Sequence, residues 1–246
     1  MELYAAIDLL DGQARRLQQG DYQRPLSQSA DPLRLADAWL RAGLRWLHVV
    51  DLDGARLGRP VNTAVVSEIC RQAAASGAGV QVGGGLRDAA SVEQVLDAGA
   101  GLVMLGSAAV ADPRFAAECA QRWPDRIGVS LDLRGGLPAV DGWRRRSQRD
   151  AFELAAELLD SSVTRLAVTD TQRDGTNEGP NMELLEGFRA RFPASTLLAA
   201  GGIAGTAHLE ALAALGMDGA IVGRALLEGT LDITEALAAC SGVRAA

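Results

Sequence analysis

Imidazole and thiol groups are scarce in this chain. Its 246 residues include only two histidines, His48 and His208, and three cysteines, Cys70, Cys119 and Cys240. Two imidazoles leave little for a zinc site or a serine–histidine triad. The cysteines are odd in number, far apart and each in a helical pattern. They read as buried thiols rather than a disulfide or a metal set, and no metal is expected. Positive charge is short as well. The formal net charge is −7, whereas duplex binding needs a basic face, so nucleic acid is not expected as a partner. No apolar run approaches the length of a bilayer span, which argues against a membrane partner. Glu2 and Asp8 stand where a signal peptide would be basic and then uncharged, so the expected location is the cytoplasm. Aromatics make up only 4% of residues against 48% hydrophobic overall, which describes a soluble globular protein with an aliphatic core.

What the chain does have is a repeat. Gly84-Gly85-Leu86 followed by Met104-Leu105-Gly106-Ser107 returns as Gly201-Gly202-Ile203 followed by Ile221-Val222-Gly223-Arg224. The offsets agree, since 201−84 = 117 and 223−106 = 117. Each glycine pair follows a short apolar run and precedes a helical pattern. Glycine after a strand lets backbone N–H groups approach a ligand, and adjacent helix N-termini favour anions. Two such devices half a chain apart point to a two-fold protein that grips two phosphates.

Short apolar runs alternate with amphipathic stretches eight times. The expected strands are Leu3–Ile7, Arg45–Val50, Gly79–Val82, Leu102–Leu105, Ile127–Leu131, Arg165–Val168, Thr196–Ala199 and Gly219–Val222. They are apolar throughout rather than alternating, as parallel strands covered on both faces should be. Helix starts are expected at Asp31-Pro32, at a Ser91–Gln94 capping box, at Asp112-Pro113, at Asn181 and at Thr206. Gly43, Gly99 and Gly216 stop helices before the next strand. Eight such units imply a single α/β domain over 1–246, a (β/α)8 TIM barrel with half-barrels of about 1–122 and 123–246. An open doubly wound sheet is the alternative. Leu9 to Ala30 forms a long first loop without periodicity, a candidate lid.

Catalytic groups in such barrels sit at the carboxyl ends of strands. Those positions hold Asp8, Asp51, Asp132 and Asp170, themselves paired by the repeat (132−8 = 124 and 170−51 = 119). Asp8 and Asp132 run into loops rather than helix starts. They are expected to face each other across the barrel mouth as an acid–base pair. Asp51 and Asp170 read as bracing residues. His48, inside Trp46-Leu47-His48-Val49-Val50, reads as a core histidine. The glycine loops also have a plain turn reading; the ligand reading expects a bulky replacement at Gly85 or Gly202 to weaken binding more than stability.

At this point the residues resemble a known family from end to end. Ala6-Ile7-Asp8-Leu9, Arg16-Leu17-Gln18-Gln19-Gly20-Asp21-Tyr22, Val49-Val50-Asp51-Leu52-Asp53-Gly54-Ala55 and Gln81-Val82-Gly83-Gly84-Gly85-Leu86-Arg87 are similar to the histidine-biosynthesis isomerases. So are Ser130-Leu131-Asp132, Thr169-Asp170-Thr171-Gln172-Arg173-Asp174-Gly175-Thr176 and Gly219-Ala220-Ile221-Val222-Gly223-Arg224-Ala225-Leu226. The resemblance implies a cofactor-free Amadori rearrangement of a small bis-phosphorylated ribotide, phosphoribosylformimino-aminoimidazole carboxamide ribotide. It implies Asp8 as base and Asp132 as acid, with Thr169 and Asp174 supporting the intermediate. Arg16 and Trp143 would reach the substrate from loops. Gly20, Gly84, Gly85, Arg87, Gly106, Ser107, Gly175, Gly201, Gly202, Gly223 and Arg224 complete the expected binding residues. Trp143 can stack on the substrate's heterocycle or anchor its loop to the rim; Arg144-Arg145-Arg146 reads as a solvated charge run. Ala200 departs from the serine common in the family, and loop five, Arg134 to Arg149, matches loosely.

Three other readings compete. One is the cyclase subunit that takes the next step with ammonia, whose family usually places a cysteine before Leu-Asp where this chain has Ala6-Ile7-Asp8. Another is a bifunctional isomerase that also acts on phosphoribosyl anthranilate, whose members tend to carry serine at Gly83. The third is a non-catalytic phosphosugar-binding barrel, which would have little reason to keep both Asp8 and Asp132. No surface signal for a dimer is evident, and a monomer is expected.

Overall fold

In the computed structural model eight parallel strands close into a barrel: β1 (Glu2–Leu10), β2 (Trp46–Asp51), β3 (Gly79–Gly83), β4 (Leu102–Leu105), β5 (Ile127–Arg134), β6 (Arg165–Asp170), β7 (Thr196–Ala200) and β8 (Gly219–Val222). Each strand pairs with the next. β8 returns to β1 through Glu2↔Gly219 to Ala5↔Val222, so no edge is left. That closure decides for the barrel over the open sheet. The structure describes residues 1–15 and 29–242 in full, with the backbone of an antiparallel pair, Leu17–Gln18 and Asp21–Pro25. β1 and β5 run beyond their expected ends because each continues into a short antiparallel partner, Gln13–Ala14 and Leu137–Val140.

Strand parity sorts the side chains. Leu47, Val49, Val80 and Val82 point outward and join the layer between strands and helices. Burying each stabilises the fold by about 1.5–3 kcal/mol. Tyr4, Ala6, Met104, Ala167, Leu198 and Ile221 point inward and form a second, smaller cluster within the barrel, with Trp46 packed against it. The floor of that interior is filled by size matching. The Tyr4 and Trp46 rings lie 5.8 Å apart, and Arg165 donates a 3.0 Å hydrogen bond to the Tyr4 hydroxyl. Gly79 leaves room for the Trp46 ring, where a Cβ would come within 2.5 Å of it.

Most helix punctuation lies where expected. Asp31 caps Pro32–Arg41 by accepting from the Leu33 and Arg34 amides, and Asp112 caps Pro113–Arg122. Asn181 accepts from Leu184 at the start of Met182–Arg191. One start differs. The capping box of Ala89–Asp97 is built by Asp88, with Ser91 as the residue that reaches back, so the box begins three residues earlier than expected. The helix Thr206–Ala214 begins at Thr206 as expected, with Gly205 in the position before it. Gly43, Gly99 and Gly216 follow helix ends with positive φ of 96°, 102° and 82°. All three cysteines are free and buried, and burial pushes each thiol up to about 11.

Candidate active site

The carboxyl ends of the strands open into one cleft that gathers residues from every strand end. Asp8 enters from β1 and Asp132 from β5, on opposite sides of the ring. Between them stand Gly84, Gly85, Arg87, Gly106 and Ser107 on the first-half side. Thr169, Asp174, Gly175, Gly201, Gly202, Gly223 and Arg224 stand on the second-half side, and Trp143 lies over Asp132. Arg16 and Gly20 fall outside the described residues.

Asp132 is set apart chemically. The Trp143 indole nitrogen donates to its Oδ2 at 2.8 Å, and the Thr169 side chain supplies a further hydrogen bond. Burial holds the carboxyl above the ordinary carboxylate range, and these two donors pull the other way without reversing it. Such a group retains a proton to higher pH than a solvated aspartate, which suits a general acid. Trp143 reaches this position from a left-handed backbone, φ 66°. Its loop is tied down by the Asp141 amide, which donates to the Ser107 hydroxyl at 2.9 Å, and by an Arg87–Asp141 ion pair at 3.9 Å.

Asp51 and Asp170 are braces. The Asp51 carboxylate accepts from the amides of Gly54, Val61 and Asn62 and from the Asn62 side chain at 2.7 Å. In the second half Asp170 accepts from the Gln172 amide and from the Asn181 side chain at 2.8 Å. Both asparagines lie 119 residues apart (181−62 = 119), the offset of the aspartates, so the same brace is built twice. The first half adds Asp53, which accepts from the Asp11 amide at 2.7 Å and so clamps the base of loop one.

The glycine pairs carry a packing load that their sequence did not reveal. Gly84, Gly85, Gly201 and Gly202 all have positive φ, between 77° and 104°. A Cβ on Gly85 would lie 2.7 Å from the Arg59 carbonyl, and one on Gly201 would lie 3.0 Å from that of Asp170. Cβ atoms on Gly84 and Gly202 would run into the carbonyls of Asp51 and Gly179. Each loop is thus pressed against its neighbour's backbone, so a bulky replacement at Gly85 or Gly202 strains the fold as well as the cleft. All four glycines also line the cleft. Arg224 is already engaged, donating to the Gly175 carbonyl at 2.6 Å and pairing with Glu228 at 2.9 Å. Arg144, Arg145 and Arg146 are exposed, as a solvated run should be.

Sequence reasoning underused His48. The side chain is buried, at 9% exposure, yet it lines the cleft. Its Nδ1 lies 2.7 Å from Nε2 of Gln81 on the neighbouring strand. Parity was the available signal: His48 pairs with Ala6 in register, and Ala6 shares its face of β1 with Asp8. Among the described residues no cluster of histidine, cysteine and acidic side chains could hold a metal. None of their helices is long and apolar enough to cross a membrane.

The relatives of this chain carry consistent names. It is 46% identical over 244 residues to a protein of Sorangium cellulosum, covering 98% of this chain and all of that one. It is 43% identical to one of Roseiflexus castenholzii (97% and 99% covered) and 42% to one of Rhodospirillum rubrum (97% and 98%). All three are named 1-(5-phosphoribosyl)-5-((5-phosphoribosylamino)methylideneamino)imidazole-4-carboxamide isomerase. The model of a family described as histidine biosynthesis protein matches residues 2–232. With a closed barrel, a mirrored pair of glycine turns and an aspartate from each half at one mouth, the chain belongs to this histidine biosynthesis family.

Proposed function

We propose that this protein is an aldose–ketose isomerase of histidine biosynthesis that performs an Amadori rearrangement on the bis-phosphorylated ribotide named for its relatives. The carrying observation is that Asp8 and Asp132, one from each half, line a single cleft between two glycine cradles. Asp132, its proton held by burial, delivers it to the ribose ring oxygen. The C1–O bond breaks and the substrate's own amine becomes a protonated Schiff base. Asp8 then removes the C2 proton, and the electron pair left on C2 forms the enolamine. Tautomerisation at C1 yields the aminoketose. Positioned proton transfer of this kind contributes roughly 10²–10⁴-fold.

The chain has no lysine among its 24 basic residues, so no side-chain amine competes for the sugar carbon. Gly84, Gly85, Gly106 and Ser107 hold one phosphate, and Gly201, Gly202, Gly223 and Arg224 the other. Arg87 and Gly175 shape the rim, and Thr169 and Asp174 support the intermediate. Arg16 and Gly20 act from loop one. The protein works as a monomer in the cytoplasm on this one small-molecule substrate. Supplying the aminoaldose ribotide alone tests the reading: the aminoketose should appear. No conversion without ammonia or a protein partner would overturn it in favour of the cyclase.

A further inference from the structure

The two halves of the barrel match in register at their aspartate-bearing strands but not in polarity. On β1 and β2 Ala6 pairs with His48, and Asp8 with Val50. On β5 and β6 Ser130 pairs with Ala167, and Asp132 with Thr169. The offsets are those of the aspartates, 130−6 = 124 and 169−50 = 119. All eight residues line the cleft. Asp8 therefore has a methyl group one layer below it and an isopropyl group beside it, where Asp132 has two hydroxyls. The Thr169 side chain is spent on Asp132. The Ser130 hydroxyl makes no hydrogen bond with any described residue, and the side chain is only half-buried. Packing gives no reason for a hydroxyl there, because alanine fills both the matching position, Ala6, and the adjoining one, Ala167. Ligand clefts are mostly apolar, with a few placed polar groups that fix orientation.

We propose that Ser130 holds the C2 hydroxyl of the reacting sugar and so sets a preference for a ribosyl over a 2-deoxyribosyl substrate. The placement rests on the isomerase reading. Asp8 must face the C2 proton, and on a tetrahedral carbon the hydroxyl points away from that proton, from β1 toward β5. Ser130 stands on that side, one layer beneath the acid. Its chemistry suits the reaction as well. O2 is a hydroxyl in the aldose and a carbonyl in the ketose, so its partner must accept from or donate to the first and donate to the second. A serine hydroxyl does both, whereas a carboxylate only accepts. A site that pairs a substrate hydroxyl discriminates against analogues lacking it.

The 2-deoxy analogue of the ribotide provides the test, because without O2 it cannot become a ketose and acts only as an inhibitor. Ser130→Ala should lower kcat/KM for the ribotide roughly 2- to 12-fold, the worth of one net hydrogen bond. The inhibition constant of the 2-deoxy analogue should not change. Tm should stay at the wild-type value, since alanine already suits the matching position at Ala6. Equal losses for ribotide and analogue would mark a merely structural role and overturn the proposal, as would an unchanged kcat/KM. Wild-type protein that does not isomerise the ribotide would overturn the isomerase reading instead. Calorimetric affinities of the two ligands for wild type and Ser130→Ala would then decide the contact on binding alone: it stands if only the ribotide binds more weakly to the variant, and falls otherwise.

Discussion

The indole N–H of Trp143 and the carboxyl of Asp132 are joined by a 2.8 Å hydrogen bond across 11 residues of loop five. The bond favours the carboxylate, opposing the burial that raises the group. Trp143→Phe removes the donor and keeps an aromatic ring. The alkaline limb of kcat against pH, where the acid is lost, should therefore move to higher pH. An unchanged or lowered limb would show that Asp132 is not the acid it reports.

Asp132 also links activity to stability. Its pKa is raised in the folded state, so its stabilising contribution is complete below the unfolded value of about 4 and is lost as pH rises through the native value. Above its native pKa the site carries a carboxylate that burial disfavours. Asp132→Asn should abolish turnover and raise Tm on the alkaline side of that titration while leaving Tm unchanged or lower in acid. Each 1 kcal/mol of relief corresponds to about 2–4 °C for a chain of this size. A uniformly lower Tm in a pH series of thermal scans would contradict this.

For Asp8 the separation of binding from chemistry is decisive. Asp8→Asn should abolish isomerisation while product affinity, measured by titration calorimetry, stays within about an order of magnitude. Parallel loss of both would assign Asp8 to binding.

Gly202 should behave as a fold residue first. A valine there must take a left-handed backbone and push its side chain into the Gly179 carbonyl. Strain of this kind costs about 1–3 kcal/mol before any clash is counted. Gly202→Val should lower Tm by about 2–12 °C. A calorimetric scan at the wild-type Tm with raised KM would restore the purely ligand-based reading.

The barrel was legible because its two halves punctuate the chain in the same way. Helix stops such as Gly99 and caps such as Asp31 obey local rules that need no tertiary information. Asp51 and Asp170 were readable as braces for the same reason, since each begins a turn. The capping box at Asp88 was misplaced because Ser91 belongs to two overlapping patterns, and only the backbone shows which residue starts the helix. What lay beyond the sequence depends on contacts between distant segments. The approach of Gly202 to Gly179, the hold of Ser107 on Asp141 and the pairing of Gln81 with His48 join elements 23, 34 and 33 residues apart (202−179 = 23, 141−107 = 34, 81−48 = 33). His48 looked like ordinary core because it is core on one side and cleft wall on the other.

The packed floor has a bearing on traffic. With the Tyr4 and Trp46 rings and the Arg165 guanidinium plugging the amino end of the barrel, ligand exchange is confined to the rim. Departing ketose and incoming aldose share one doorway, so accumulating product obstructs the next arrival and slows the enzyme by simple occupancy.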